Sequence, residues 1–308
     1  MLQKTIHKVE DSWNKLLLWA RKVTLPGFDG MPLYDVGMFF WKSIVNGAIT
    51  TRASAIAFSF FMALFPAVIS IFTLIPYIPV KHFQGELLTL VQNMVPGNVY
   101  IAIDETVQDI ITRPRGGLLS IGFFMALIFS TNGLASMMSA FDASLHSFER
   151  RTWLGQRFIA IVLVVILFLM LTITIALLTG GQYLINYAAE HGILKDNLTY
   201  YLLLAGKWVI IVMLFFFGNS FFYYLAPAKK TKWRFISAGS TLSTILSILA
   251  IIGFTYYINN FGQYNKLYGS IGTLLVVLFL MYILSIILLI GFELNASINE
   301  AHRQVQEK

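Results

Sequence analysis

Six long stretches of mainly apolar residues alternate along the chain with short clusters of polar and charged ones. A helix needs about 20 predominantly apolar residues to cross the hydrocarbon core of a bilayer. The stretches 53–78, 117–140, 158–183, 200–224, 235–258 and 269–292 all meet that length. They predict an all-α, polytopic membrane protein with six transmembrane helices. The fourth holds Lys207 toward its outer end, where the long side chain can snorkel to the interface. No internal repeat, low-complexity linker or composition shift divides the chain, so residues 1–308 read as a single membrane domain.

The remaining segments also carry pattern. Within residues 1–50, Ile6, Val9, Trp13, Leu16, Leu17 and Ala20 recur at spacings of three and four, with Lys4, Lys8, Lys15 and Lys22 mostly off that stripe. This predicts an amphipathic helix, lying in the headgroup region or packed on the ends of the bundle. Residues 38–45, with Phe39, Phe40 and Trp41, read as an interfacial elbow into the first span. Residues 79–116 are too long for a plain turn. Phe83, Leu87, Leu88, Val91 and Val95 form one helical stripe, Pro96-Gly97-Asn98 interrupts it, and Val99, Ile103, Val107, Ile110 and Ile111 form another. An external helical hairpin is expected there.

Composition agrees with lipid as the solvent. Hydrophobic residues make up 57% and charged residues 12% of the chain, against roughly 45–50% and 25% in ordinary soluble domains. The absence of cysteine excludes disulfides, thiolate metal sites and cysteine nucleophiles. The N-terminus, with Glu10 and Asp11 among its lysines, has no continuous apolar core and does not read as a cleavable signal peptide.

The net charge of +7 would suggest nucleic acid in a soluble protein, but here its position decides the meaning. Lys4, Lys8, Lys15, Arg21, Lys22, Lys42 and Arg52 precede the first helix. Arg150, Arg151 and Arg157 join the second to the third, and Lys229, Lys230, Lys232 and Arg234 join the fourth to the fifth. The alternate connections hold fewer cations: Lys81, Arg113 and Arg115, then Lys195, then Lys266. The positive-inside rule then places both termini in the cytoplasm.

Charge within the spans is scarce, and an intramembrane ionisable residue is a functional candidate by default. Arg52 opens the first span, Glu293 closes the sixth beside Asn295, and Asp142 follows the second, all toward the same side. Arg52 with Glu293 or Asp142 could form an ion pair, or each could snorkel separately. Asn132 and Asn219 place amides at depth, where they would hydrogen-bond across helices or line a cavity. Pro66 interrupts the backbone ladder of the first span and is a candidate hinge or a static kink. The small-residue rows Ser59/Ala63/Ala67, Gly122/Ala126/Ser130 and Gly239/Ser243/Ser247 suit close helix packing. The fifth span adds Ser237, Ser240, Thr241 and Thr244, whose hydroxyls need more than one neighbour or a wet cavity. Glu149-Arg150-Arg151 reads as a solvated loop charge run. The five histidines have no metal-ligand spacing, and no Walker loop, nucleophile elbow or apolar carboxylate pair is present. No metal, cofactor or enzymatic activity is expected.

Four motifs in order carry a family resemblance. They are Thr51-Arg52-Ala53-Ser54-Ala55-Ile56-Ala57-Phe58 into the Pro66 span, Phe129-Ser130-Thr131-Asn132-Gly133 leading to Ala140-Phe141-Asp142, and Ala226-Pro227. The last is Tyr268-Gly269-Ser270-Ile271-Gly272-Thr273-Leu274 ending at Gly291-Phe292-Glu293-Leu294-Asn295-Ala296. Together, over about Met38 to Ala296, the chain resembles the YihY/BrkB family of bacterial inner-membrane proteins. Phe292 departs from the small residue often found there. The resemblance implies a six-helix protein of the bacterial plasma (inner) membrane. It also brings an old ribonuclease BN-like label, which these residues do not support, since they show neither a metal cluster nor an aromatic-interleaved basic face for RNA. Roles proposed for the family concern envelope integrity and movement of lipid or lipid-linked material. Membrane lipids are therefore the expected partners and nucleic acid is not. The expected function is transport of a lipid or other amphipathic anion, with Lys229, Lys230, Lys232 and Arg234 gathering anionic headgroups. The alternative is a non-transporting scaffold or partner-binding protein.

Overall fold

The computed structural model describes residues 18–25, 27–77, 85, 88, 108–109, 113–144, 151–190, 197–228, 235–261 and 264–306. Seven helices of 14 residues or more organise them: α1 (Leu33–Asn46), α2 (Ile49–Leu74, closed by a 3-10 turn at Ile75–Tyr77), α3 (Gly116–Ser144), α4 (Trp153–Glu190), α5 (Asn197–Leu225), α6 (Ala238–Phe261) and α7 (Tyr264–Gln306). Helices α2 to α7 are each long and apolar enough to cross a bilayer, over Ile49–Ser70, Gly116–Ser144, Trp153–Leu177, Tyr201–Leu225, Ala238–Ile258 and Leu274–Gln306. Only 11–22% of each apolar window is buried by the chain itself. Phe123, Phe124, Phe168, Leu249 and Ile252 point outward. In water such a surface would not remain bare, and lipid is the environment that fits it.

The six spans stand where the apolar pattern put them, though several helices run past their apolar stretches, α4 over Trp153–Glu190 among them, and two of these ends bear on charge. The first helix begins at Ile49, so Arg52 lies inside its first turns rather than ahead of it. The sixth continues through Glu293 and Asn295 to Gln306, where the apolar stretch had stopped at Phe292. Charge ends a hydropathy run but not a helix, provided the charged side chain finds partners. At about 1.5 Å per residue, the 43 residues of α7 reach about 65 Å, more than twice the hydrocarbon thickness. Pro66 sits within α2, and the helix runs on either side of it.

The chain divides into two compact units, Met1–Ala57 with Leu134–Lys308, and Phe58–Gly133. In the larger unit α7 packs on α6 and α1, α5 packs on α6, and α4 packs on α5. The α1 contact is an apolar cluster in which Phe28, Met31 and Val36 meet Ile298 and Ala301, flanked by Leu33, Phe39, Ala238 and Leu294. The start of α6 is fixed by its own serines. Ser240 N–H donates to Ser237 Oγ at 3.2 Å, and Ser237 N–H donates to Ser240 Oγ at 3.1 Å. That reciprocal pairing satisfies donors which a helix start leaves open. In the smaller unit Gly122 of α3 lies against Ile69 and Ser70 of α2. The amphipathic stripe before Leu18, nearly all of the external hairpin at 79–116, and Lys229, Lys230, Lys232 and Arg234 fall outside the described residues.

Helices α6 and α7 come into backbone contact at two glycines. A methyl group added at Gly239 would collide with the Gly291 carbonyl oxygen. One added at Gly291 would lie 2.6 Å from the Gly239 carbonyl oxygen and 2.5 Å from the Tyr223 hydroxyl. Small residues permit such contact, and in lipid this packing replaces the hydrophobic drive that water supplies. Gly291→Ala should therefore lower the unfolding midpoint of the reconstituted protein, at a cost of about 1–3 kcal/mol. Gly253→Ala, also on α6, adds a methyl with no atom within 4 Å and should leave the midpoint unchanged or slightly raised. Equal losses in the two variants would show that the helices are not in backbone contact.

Candidate functional site

Glu293 of α7 is completely buried, yet it is a carboxylate. Removing such a group from water costs several kcal/mol even after relaxation, so it must be paired and hydrogen-bonded. Three helices supply what it needs. Arg52 of α2 donates from Nη2 to Glu293 Oε1 at 2.7 Å. Ser144, the last residue of α3, donates to the same oxygen at 2.6 Å. Ser43 of α1 donates to Oε2 at 2.5 Å. Arg52 Nη1 also donates to Ser144 Oγ at 2.6 Å and to the Ala140 carbonyl at 2.8 Å. Ser144 thus relays between cation and anion, accepting from one and donating to the other.

The local chain geometry makes this convergence possible. Gly47 and Ala48 form the turn between α1 and α2, with Ala48 in the left-handed region at φ 47°. A non-glycine residue there carries strain of order 1 kcal/mol. The turn brings Ser43 and Arg52, at the end of one helix and the start of the next, onto one carboxylate. The Arg52 guanidinium also sits on the C-terminal turn of α3, where the helix dipole favours a cation. Its side chain is 13% exposed. Among the described residues the Arg52 Nε–H is buried without an acceptor.

A second arginine closes a second helix end. Arg151 donates from Nη1 to the carbonyls of Leu225 and Ala226 at 3.0 Å each, and from Nη2 to that of Pro227 at 2.7 Å. Pro227 disfavours a helical residue before it, which explains why α5 stops at Leu225. Asp142 accepts from the Ala228 N–H at 2.8 Å. Burial lowers the Arg151 pKa, and the nearby Asp142 charge opposes that shift. The guanidinium stays protonated at any working pH. Arg151, expected to be a solvated loop charge, is instead half-buried and holds the chain leaving α5. Asp142, a possible partner for Arg52, serves that same loop.

The deep amides fasten helices together. Asn219 of α5 donates to Thr244 Oγ1 of α6 at 3.0 Å, both side chains being buried. Asn295 of α7 accepts from Gly239 N–H at 2.8 Å and donates to Ser237 Oγ at 2.9 Å. Ser240, Ser243, Thr244 and Ser247 are all buried. The hydroxyls of Ser240, Ser243 and Thr244 are spent on the α6 start, its backbone and its neighbours. Asn132 is half-buried on the part of α3 that belongs to the smaller unit and is not a member of the cluster. Phe292, the departure from the family pattern, stacks on Phe141 with ring centroids 4.0 Å apart, and Tyr223 meets both rings. Tyr223 also donates to the Leu288 carbonyl at 2.8 Å. Together they place aromatic packing next to Glu293 in the chain. Among the described residues, no three His, Asp or Glu side chains gather as metal ligands would.

Sequence reading had missed Ser43, Ser144, Tyr223 and Arg151. Nothing local marks the two serines, since serines elsewhere in the spans bond their own helix, as Ser285 does to the Met281 carbonyl. Only the fold shows that these two face a carboxylate. Arg52→Met and Glu293→Leu should each cost about 3–5 kcal/mol, because each leaves a buried charge unpaired. The double variant should cost less than the sum of the two. Unfolding titrations in mixed micelles measure that coupling, and additive losses would show the pair to be energetically idle.

Comparison with known proteins places the chain among membrane proteins. It is 24% identical over 257 residues to the ribonuclease-like protein YfkH of Bacillus subtilis, covering 83% of this chain and 92% of that one. It is 24% identical over 275 residues to a UPF0761 membrane protein of Aliivibrio salmonicida, covering 88% and 85%. A UPF0761 membrane protein of Haemophilus influenzae is 21% identical over 276 residues, covering 89% and 99%. No solved structure matches. The family described as virulence factor BrkB matches residues 40–308, which include Ser43, Arg52, Ser144 and Glu293. The chain is a membrane protein that belongs to the BrkB virulence factor family.

Proposed function

We propose that this protein moves a lipid or other amphipathic anion across the bacterial inner membrane, with the Ser43–Arg52–Ser144–Glu293 cluster as a latch at the cytoplasmic end. The observation that carries this reading is a fully buried carboxylate held by polar contacts from α1, α2 and α3. A buried ion pair adds little net stability over an apolar replacement of the same shape, and its best-attested use is to specify or switch an arrangement. Three helix ends meeting on one charge of a fourth helix have a natural second state, in which the contacts part together. The unsatisfied Nε–H of Arg52 leaves a donor available to an anionic oxygen. The basic residues Lys229, Lys230, Lys232 and Arg234 follow the loop held by Asp142 and Arg151. They support both a cytoplasmic location for this end and recruitment of anionic headgroups. On this reading both termini are cytoplasmic, membrane lipids are the partners, and neither nucleic acid nor catalysis is involved.

One set of contacts favours a second reading, a non-transporting scaffold. Asn219 and Asn295 use their polar groups to fasten α5 to α6 and α6 to α7, as a permanently closed bundle would. Reconstitution separates the two. Purified protein in vesicles, with a headgroup-accessible reporter lipid and with or without a proton or sodium gradient, should speed lipid movement over empty vesicles. Glu293→Gln should return the rate toward the empty-vesicle level. Absence of movement under every gradient would sink lipid transport and leave the scaffold as the leading account.

A further inference from the structure

Helix α1 presents two apolar faces, and the bundle covers only one. At about 3.6 residues per turn, Val36, Phe39 and Ser43 share the inner side. There Val36 and Phe39 pack against α7, and Ser43 holds Glu293. Met38, Trp41, Lys42 and Val45 share the opposite side, spaced i, i+3, i+4 and i+7, and all four are exposed. Trp41 is 69% exposed, which is unusual for the largest side chain of a packed helix. Leu18, Trp19 and Leu25, on the segment before α1, are exposed as well.

We infer that this outer face of α1 docks into the anionic headgroup layer of the bilayer that the protein itself spans. Chain connectivity puts it there. Only Gly47 and Ala48 separate α1 from the spanning helix α2, so α1 cannot leave the boundary. Its 14 residues reach about 21 Å, too short to cross the hydrocarbon core. Its inner contacts, Leu294, Ile298 and Ala301, lie on α7 just past the apolar stretch that ends at Phe292. A helix at that depth with tryptophan on its free side is an interfacial helix. Charge selects the lipid. Lys42 on α1 and Arg21 and Lys22 on the segment before it are exposed, against the exposed Asp29 of that segment and the half-buried Asp35 of α1. Arg21 also lies over the Tyr34 ring at 4.8 Å, which places one cation beside the N-terminal turn of α1. Because Ser43 lies on the inner side of the same helix, seating α1 on lipid also seats one partner of Glu293. The inference is independent of transport.

The absence of cysteine makes the test direct. Trp41→Cys and Met38→Cys, labelled with an environment-sensitive fluorophore in the full-length protein, are reconstituted in vesicles of phosphatidylcholine and phosphatidylglycerol. Phe168→Cys, exposed on the span α4, and His302→Cys, exposed near the end of α7, serve as lipid and water references. Both α1 labels should be quenched more by nitroxide lipids labelled near the headgroup than by those labelled deep in the chains. Iodide quenching should be several-fold weaker than at His302→Cys, and this shielding should weaken in purely zwitterionic vesicles. Iodide quenching equal to that at His302→Cys would overturn the inference. So would protection from both iodide and nitroxide lipid, which would show the face covered by residues 1–17 or by a second copy. Shielding that is the same without anionic lipid would overturn the charge selection.

Discussion

Everything at one end of the larger unit is arranged around the charge of Glu293. A carboxylate fully removed from solvent is tolerable only if its lone pairs are filled, and here Ser43, Arg52 and Ser144 fill them. That requirement reaches four helices. The partners of Glu293 stand in the last turn of α1, in the first turns of α2 past the Gly47–Ala48 turn, and at the last residue of α3. Meeting that requirement also lets α7 run on as helix beyond its apolar stretch, since a satisfied glutamate does not interrupt a helical backbone. Phe141, Phe292 and Tyr223, close-packed beside it, reinforce the seam with aromatic contact.

Helix termini supply the second organising constraint. The final carbonyls of a helix have no intrahelical donors, and within or near a bilayer water is a poor substitute. Arginine stands at two such ends. Arg151 reaches the Leu225, Ala226 and Pro227 carbonyls at the end of α5, and Arg52 sits on the last turn of α3, where the helix dipole favours its charge. Each guanidinium has a carboxylate nearby, Glu293 for one and Asp142 for the other. The two sites are similar in chemistry but differ in consequence. One ties helices to each other, while the other sets the start of a strongly basic loop.

Between the spans, interior polarity and small size substitute for a hydrophobic drive. The Gly239–Gly291 crossing brings two backbones together, and Asn295 bonds to the Gly239 N–H and the Ser237 hydroxyl at the same junction. Asn219 and Thr244 repeat the device between α5 and α6. Amides and hydroxyls at depth therefore act here as interhelical fasteners. That is also the physical basis for reading this part of the bundle as closed, and for placing any movement at the charged cluster instead.

The sequence by itself determined the class of protein and the number of spans, because the length and polarity of a lipid-crossing helix are local properties. It also marked Arg52, Glu293, Asp142, Asn295 and Asn219, since ionisable and amide groups stand out against apolar surroundings. The tertiary structure alone decided which of these meet. Arg52 pairs with Glu293 rather than Asp142, a choice between carboxylates set by helix packing. Arg151 became a helix-end donor instead of a solvated charge, because the end of α5 happens to lie within its reach. Ser43 and Ser144 could not be singled out among so many serines, since a hydroxyl gains its role only from what faces it across a helix boundary. Composition and period are written in neighbouring residues; pairing depends on residues 241 apart, as in the Arg52–Glu293 bond, and only the fold brings those together.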